Sequence, residues 1–283
     1  MLPWAGEFFK LITELGSDLF YIVLLLIGYW AVRKKESIVT ILVLMVAVVS
    51  NYWLKVAIHN PRPPAGYLYP GFEAQSNWST PSGHAQNSSM LFGWLAVKVK
   101  TWWMLLLSTV LTVLIGLSRV YLGVHYLDDV VLGWWIGVVL VLILWYAEGP
   151  LGTILSRYKA EYLWFTLFLV GLAMTVIATY LVPLPPDDNF GALGGLVMGI
   201  AVALPLEARF VQFSVEPVKG QKWRLVLRVV LGLAIVLVVM VGLGEFLQSV
   251  DPNVDVWLRA LRYFLVALIG GFVWPAIFKK IGL

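Results

Sequence analysis

Three short stretches of this sequence hold residue types able to bind and transfer a phosphate-like group: "KVAIHNPRP" at 55–63, "STPSGHAQNSSM" at 79–90 and "SRVYLGVHYLDD" at 118–129. Together they supply the cations Lys55, Arg62 and Arg119, the imidazoles His84 and His125, the carboxylate of Asp129, and Gly83 beside the hydroxyl of Ser82. A tetrahedral dianion is the natural partner of such a set. The lysine is a compact charge, and each guanidinium fork can hold two oxygens. Pro81 suits the first turn of a helix, and Gly83 lets an exposed backbone amide approach a ligand at the positive end of a helix dipole.

His125 and Asp129 stand four residues apart, so on a helix they share a face. A carboxylate bonded to one ring nitrogen fixes the tautomer and leaves the other nitrogen nucleophilic. His125 is therefore the expected nucleophile and His84 the expected acid for the departing oxygen. Asp128 rivals Asp129, but three residues from His125 it points aside and reads as a solvated or capping carboxylate. His59, four residues after Lys55, reads as a rim or structural histidine. Gln86, Asn87, Ser88 and Ser89 either line the pocket or hydrogen-bond neighbouring helices.

The elements that must position these residues are membrane spans. Of the 283 residues 60% are hydrophobic and 13% charged, too apolar for a soluble chain of this length. About nine stretches approach the roughly 20 residues of one hydrocarbon crossing: 19–32, 38–58, 85–97, 102–122, 130–147, 162–182, 190–206, 223–247 and 257–278. The fold class is thus an all-α polytopic bundle. The third stretch is the shortest, and its first turns are the polar "SGHAQNSS". Cysteine is absent, which excludes disulfides, thiolate nucleophiles and cysteine-held metals.

Charge sorts by loop. Arg33, Lys34 and Lys35, then Lys98 and Lys100, Arg157 and Lys159, Arg209, Lys219, Lys222 and Arg224, and Lys279 and Lys280 fall on one side if all nine stretches cross. The positive-inside rule makes that side, and the carboxyl terminus, cytoplasmic. Asp187, Asp188, Asp251 and Asp255 fall opposite. Lys10, Lys55, Arg62, Arg119, Arg259 and Arg262 are exceptions at the acidic, extracytoplasmic side, where a cation normally faces a cavity, a partner or lipid headgroups. Arg259 and Arg262 read as interfacial anchors or partners of Asp255 or Asp251, with contact to a second phosphate or acidic headgroup as the alternative. The amino-terminal segment places Trp4, Phe8, Leu11, Ile12 and Leu15 on one helical face and Glu7, Lys10 and Glu14 opposite, which predicts an amphipathic helix on the outer interface. It lacks the basic leader and cleavage site of a signal peptide. Trp102 and Trp103 suit an interfacial belt. Gly133 with Gly137, and Gly195 with Gly199, have the spacing of close helix contacts in the bundle or at a dimer face.

Lys55, six residues, Arg62 and Pro63; "PSGH" at 81–84; and Ser118, Arg119, five residues, His125, three residues, Asp129 together resemble the three-part signature of the type 2 phosphatidic acid phosphatase family, which includes vanadium haloperoxidases. All signature positions match, over 55–129. The resemblance implies that Lys55, Arg62, Arg119, Ser82 and the Gly83 amide bind phosphate, that His125 forms a phosphohistidine oriented by Asp129, and that His84 protonates the leaving group. It also implies no metal and no cofactor. The expected organisation is an interfacial helix at 1–16, a phosphatase core at 17–150, and further spans of unassigned role at 151–283.

The function so implied is a lipid phosphatase of the cytoplasmic membrane, its site on the extracytoplasmic face, acting on a phospholipid phosphate or an isoprenoid (polyprenyl) diphosphate. The bilayer and its lipid are the expected partners and nucleic acid is not; oligomeric state stays open. A lipid phosphotransferase would use the same residues. A non-enzymatic lipid-binding or transport protein would have lost a signature histidine or aspartate, and none is lost. A haloperoxidase does not suit a chain this apolar.

Overall fold

The computed structural model describes residues 3–72, 75, 77–182, 189–216 and 221–283, with Pro3 and Trp4 as backbone alone. Asp187 and Asp188 of the acidic side, together with Lys219 and the Trp4 side chain, lie outside the described residues. Among those residues every regular element is helical. In chain order these are α1 (Pro3–Glu14), α2 (Asp18–Ile27), α3 (Lys34–Ile58), α4 (Gly83–Val99), α5 (Trp102–Tyr121), α6 (Leu127–Leu155), α7 (Ala160–Val176), α8 (Phe190–Leu206), α9 (Trp223–Phe246), α10 (Pro252–Leu268) and α11 (Trp274–Lys280). Single π-helical turns extend α2, α7 and α8, and another joins α10 to α11.

Among the described residues seven helices are long and apolar enough to cross a membrane, and an eighth span results if α1 and α2, bent by 53°, count as one. The difference from nine lies in the short members. At 17 residues α4 reaches only about 25 Å at 1.5 Å per residue, against a hydrocarbon core of about 30 Å.

The chain forms two compact units, residues 1–25 with 38–152, and residues 26–37 with 153–283. In the first, α4 is the buried centre. Its Met90 and Trp94 pack with Val43 and Ala47 of α3 and Val141 of α6, and its Leu91 packs with Tyr21 of α2 and Leu44 of α3. A helix enclosed by protein can carry polar side chains only if they find partners inside. Gln86, fully buried, does so by donating to the Ala47 carbonyl at 3.0 Å and to Ser50 Oγ at 2.9 Å. It accepts from Asn51 Nδ2 at 2.9 Å. Ser88 and Ser89 donate to the carbonyls of Ala85 and Trp134. Gln86 and Ser89 therefore serve helix association, while Ser88 bonds within its own helix and Asn87 Oδ1 is buried without a partner among the described residues. Gly133 and Gly137 belong to the same arrangement, since a Cβ at either would meet the Ser82–Ser89 segment of α4.

The second unit is organised around α8, which is buried along almost its whole length. Small residues make this possible. A Cβ on Gly195 would run into the backbone of Ala260 in α10, and one on Gly199 would meet Phe264 and Ala267. Two charges outside the loop clusters are buried here. Glu207 pairs with Lys34 at 2.6 Å and accepts from the Phe213 amide, while Arg228 donates to the carbonyls of Trp30, Ser214 and Leu283. Arg259 pairs with Asp255 at 2.9 Å.

Helix α1 departs from a two-faced amphipathic helix. At 100° per residue its side chains divide into three faces about 120° apart. Glu7, Lys10 and Glu14 form the polar face, and the exposed Phe8 and Leu11 lie on the large apolar one. Ala5, Gly6, Phe9 and Thr13 form a third face against the protein, where Phe9 stacks on Tyr121 with centroids 4.6 Å apart. Phe8 and Leu11 thus face outward, while the face that docks carries Ala5, Gly6 and Thr13 with Phe9 as its large side chain.

Candidate active site

The expected site residues come from four places in the first unit: the end of α3 (Lys55), the loop after it (Arg62), the start of α4 (Ser82, Gly83, His84), and the end of α5 with the turn into α6 (Arg119, His125, Asp129). Local sequence explains how each is aimed. His59 ends α3 in a left-handed conformation, φ 54°, and its exposed ring lies edge-on to Trp78 at 4.9 Å, so it is a structural residue. The loop is then tied down, as Ser79 N donates to the Asn60 carbonyl and Asn60 Nδ2 to Thr80 Oγ1. Gly123 turns the chain between α5 and His125 at φ +73°, with its Cβ position against the Tyr67 carbonyl. Only glycine fits both conditions.

Asp129 is fully buried and Asp128 exposed. Asp128 accepts from the Asp129 amide, and Asp129 is the carboxylate beside the imidazole. Asp129 also reaches back to the Tyr126 amide at 2.9 Å, the reciprocal contact that a third-position acid makes at a helix start. Its remaining valences are taken by Thr80 Oγ1 on Oδ1 and Ser79 Oγ on Oδ2.

His125 stands just before α6 rather than on it, and its link to Asp129 is partly indirect. Nδ1 lies 3.4 Å from Asp129 Oδ2, a long contact, but 3.1 Å from Ser79 Oγ. Ser79 donates to Asp129, so its oxygen is free to accept the Nδ1 proton. On the other side of the ring, Nε2 lies 3.1 Å from Arg62 Nη1. A guanidinium only donates, so Nε2 carries the lone pair and Nδ1 the hydrogen. Burial first, then the charges of Arg62, Lys55 and Arg119, hold the imidazole well below its ordinary pKa, outweighing the upward pull of Asp129.

The cations are themselves held. Lys55 Nζ donates to the carbonyls of Trp78 and Ser79. Arg62 donates through Nε to the Asn77 carbonyl at 2.8 Å, through Nη1 to the Val124 carbonyl at 2.8 Å, and through Nη2 to Asn77 Oδ1. Arg119 Nη1 donates to Thr13 Oγ1 at 2.8 Å. His84 lies within electrostatic reach of Arg119, His125, Arg62 and Lys55. Among the described residues, Ser82 Oγ and Arg119 Nε are buried without a protein hydrogen-bond partner. The Cβ position of Gly83 points at Asn51 Oδ1, 3.2 Å away, so its lack of a side chain makes room for Asn51. No group of three or more His, Asp or Glu among the described residues could hold a metal ion.

Residues 36–152 match the PAP2 superfamily model, and residues 190–283 match the model described as PAP2 superfamily phosphatase, transmembrane extension. Phosphatidylglycerophosphatase B of Bacillus subtilis is 31% identical over 151 residues, 49% of this chain and 72% of that protein. The chain belongs to the PAP2 superfamily. With seven to eight membrane-competent helices it is an integral multi-pass phosphatase of that family. Dihydrosphingosine 1-phosphate phosphatase YSR3 of Saccharomyces cerevisiae is 27% identical over 217 residues, covering 70% of this chain and 52% of that protein. A crystal structure of a transmembrane PAP2 type phosphatidylglycerolphosphate phosphatase from Bacillus subtilis is 28% identical, with a TM-score of 0.45 over 56% of this chain and 82% of that one.

The PAP2 match spans every expected site residue. It also contains Ser79, Thr80 and Asn77, to which sequence reasoning gave no role, though two of them are hydroxyls immediately before "PSGH". Thr13 lies before the matched range, and only its place on the small-residue face of α1 marks it.

Proposed function

We propose that this PAP2 phosphatase hydrolyses the terminal phosphate of a membrane lipid by way of a phosphohistidine on His125 Nε2. The observation that carries the reading is the orientation of the His125 ring: Nδ1 faces the Ser79–Asp129 pair and the lone pair of Nε2 faces Arg62. A dianion drawn in by Arg62, Lys55 and Arg119 meets that lone pair, with Ser82 Oγ, Arg119 Nε and the Gly83 amide completing its oxygen partners. As phosphorus approaches, Arg62 Nη1 exchanges Nε2 for a phosphate oxygen.

In the first step the Nε2–P bond forms as the P–O bond to the lipid breaks, and His84 gives its proton to the departing alkoxide; burial and the neighbouring cations lower its pKa, so it is charged for this role only once the bound dianion offsets those cations. The positive charge on the phosphorylated ring is offset by Asp129, through Nδ1–H and Ser79. In the second step water attacks phosphorus, His84 takes its proton, and the N–P bond breaks to release phosphate. The neutral ring favoured by burial is the form the first step needs. The side-chain cations provide the charge neutralisation, so we expect turnover to persist in chelator.

The substrate class rests on the relatives, whose names are phosphatases of phosphatidylglycerophosphate and of dihydrosphingosine 1-phosphate. Both are single-chain or double-chain lipids with a terminal phosphate monoester, and we place this chain's substrate in that class, with polyprenyl diphosphate as the competing candidate. The charge distribution supports a cytoplasmic-membrane enzyme whose site opens on the extracytoplasmic face and whose carboxyl terminus is cytoplasmic. A reporter fused after Leu283 tests that orientation.

Phosphate release by the purified protein from phosphatidic acid, phosphatidylglycerol phosphate, a sphingoid-base phosphate and a polyprenyl diphosphate, with chelator present, tests the whole. We expect a lipid monoester to be preferred and His125→Ala to lose on the order of 10⁴-fold or more, as removal of a nucleophile does. Full activity of His125→Ala would overturn the mechanism, and preference for the diphosphate would overturn the substrate class.

A further inference from the structure

Helix α1 is more than an anchor. Its protein-facing side is built of small or apolar residues with one exception, Thr13, which is 2% exposed. The Thr13 hydroxyl is spent on Arg119, accepting from Nη1 at 2.8 Å. Arg119 is equally buried at 2%, and its Nε has no protein partner among the described residues. One end of the guanidinium is thus fixed by α1 and another edge is left with its donor free. Glu14, the next residue, bears electrostatically on the same group.

The contact does not stand alone. The chain turns just after α1, Gly16 N donating to the Thr13 carbonyl, and there Gly16 lies against the site. A Cβ on Gly16 would be 2.7 Å from Ile115 and 3.0 Å from the Cδ2 atom of His84. Upstream, Gly6 lies beneath the Tyr69 ring. Along its small face, then, the segment from Gly6 to Gly16 touches the loop after α3, the arginine at the end of α5 and the histidine at the start of α4. It lies against Arg119 and His84, two of the residues given a part in the proposed mechanism.

We propose that Thr13 is a positioning residue for Arg119, so that the amino-terminal interfacial helix sets the orientation of one phosphate-binding fork. The inference rests on the reading of Arg119 as a phosphate ligand given above. A long arginine side chain loses much rotamer freedom when ordered, and a planar fork binds two oxygens only when its plane is set in advance. Thr13 supplies that constraint from outside the three signature motifs. The outward Phe8 and Leu11 would place this constraint on a helix seated in the lipid interface.

The test uses the full-length enzyme in detergent, with inorganic phosphate as a competitive probe of the pocket. Thr13→Val keeps the shape and removes the acceptor. We expect kcat/KM to fall about tenfold, the scale of one hydrogen bond to a charged group, and inhibition by inorganic phosphate to weaken by a similar factor. Thr13→Ser, which restores the acceptor, should return both to within about twofold of wild type. In an Arg119→Ala background Thr13→Val should cost nothing further, because the two act as one unit. Thr13→Val losses that simply multiply with those of Arg119→Ala, or an unchanged phosphate inhibition constant in Thr13→Val, would overturn the proposal. Arg119→Ala itself separates this from the reading beneath it: if that variant keeps full activity and full phosphate inhibition, Arg119 is not a phosphate ligand and the site assignment falls first. Should Thr13→Val not fold, Thr13→Ala in the same cycle reads the same coupling.

Discussion

Helices α4 and α8 are both 17 residues long and both form the buried centre of a unit, yet they are built on opposite principles. In α4 the buried positions include Gln86, Ser88 and Ser89, each with a partner on its own or a neighbouring helix. In α8 the sequence "FGALGGLVMGIAVALPL" has no polar side chain, and contact is made by backbones brought together at Gly194, Gly195 and Gly199. The difference teaches how each unit is specified. Lipid offers little hydrophobic drive between helices, so association relies on hydrogen bonds or on close packing. The central helix of the unit carrying His84 and His125 adds side-chain hydrogen bonds, which also fix direction, to its glycine contacts, whereas α8 contributes only backbone and shape.

The contrast can be broken most severely in α8. Gly195→Leu drives a side chain into the Ala260 backbone, and we expect a loss of roughly 3 kcal/mol or more, read as loss of monodisperse protein in detergent. Retention of full stability would mean that the α8–α10 contact is not close.

A second test acts on the polar unit's chemistry. Ser79→Ala removes the hydroxyl between His125 and Asp129 and should lower kcat about 10- to 100-fold with little change in thermal stability, the scale of a hydrogen bond to a charged group. A kcat within twofold of wild type would show that Asp129 acts on the ring without the relay.

Gln86→Leu should cost less, about 1 kcal/mol of stability, the ordinary scale of a polar contact between membrane helices. It strips partners from Ala47, Ser50 and Asn51 at once. Unfolding by denaturing detergent measures it, and a more stable variant would contradict the role given to the polar face of α4.

The smallest effect is in pH. The folded His125 ring resists protonation, while in the unfolded chain it titrates near about 6.5. Below that value the unfolded state binds more protons, so this contribution to stability is full above about 6.5 and declines as pH falls. Thermal stability should therefore drop from pH 8 to 5 more steeply in wild type than in His125→Gln. Equal slopes would mean that the ring is not buried neutral.

How legible this was in the sequence differs by region. The spacings around Lys55, "PSGH" and His125 pick out residues that the fold brings near one another, because each falls at a helix end where hydrophobic periodicity gives the register. What periodicity does not carry is the side chain that answers a buried group across the fold. Ser79 and Thr80 sit in a loop whose path is set by Asn60 and Asp129. Thr13 lies 106 residues from its partner. Helix α1 reads as two-faced in the sequence because its large apolar residues dominate any sum, whereas the face that docks carries mostly small residues beside Phe9. The charges Glu207 and Arg228 escape the sequence for a related reason: each reads as an ordinary charge near a span end until Lys34 and the Trp30 carbonyl are brought to it.

The central claim is that phosphorus is transferred to Nε2 of His125. Rapid acid-free quenching of the purified enzyme during turnover of a lipid carrying labelled terminal phosphate tests it most directly. The account predicts label on the protein that survives alkali, is released by acid and maps to His125, and that is absent from His125→Ala. Steady turnover without labelled protein at any quench time, or label on another residue, would contradict it.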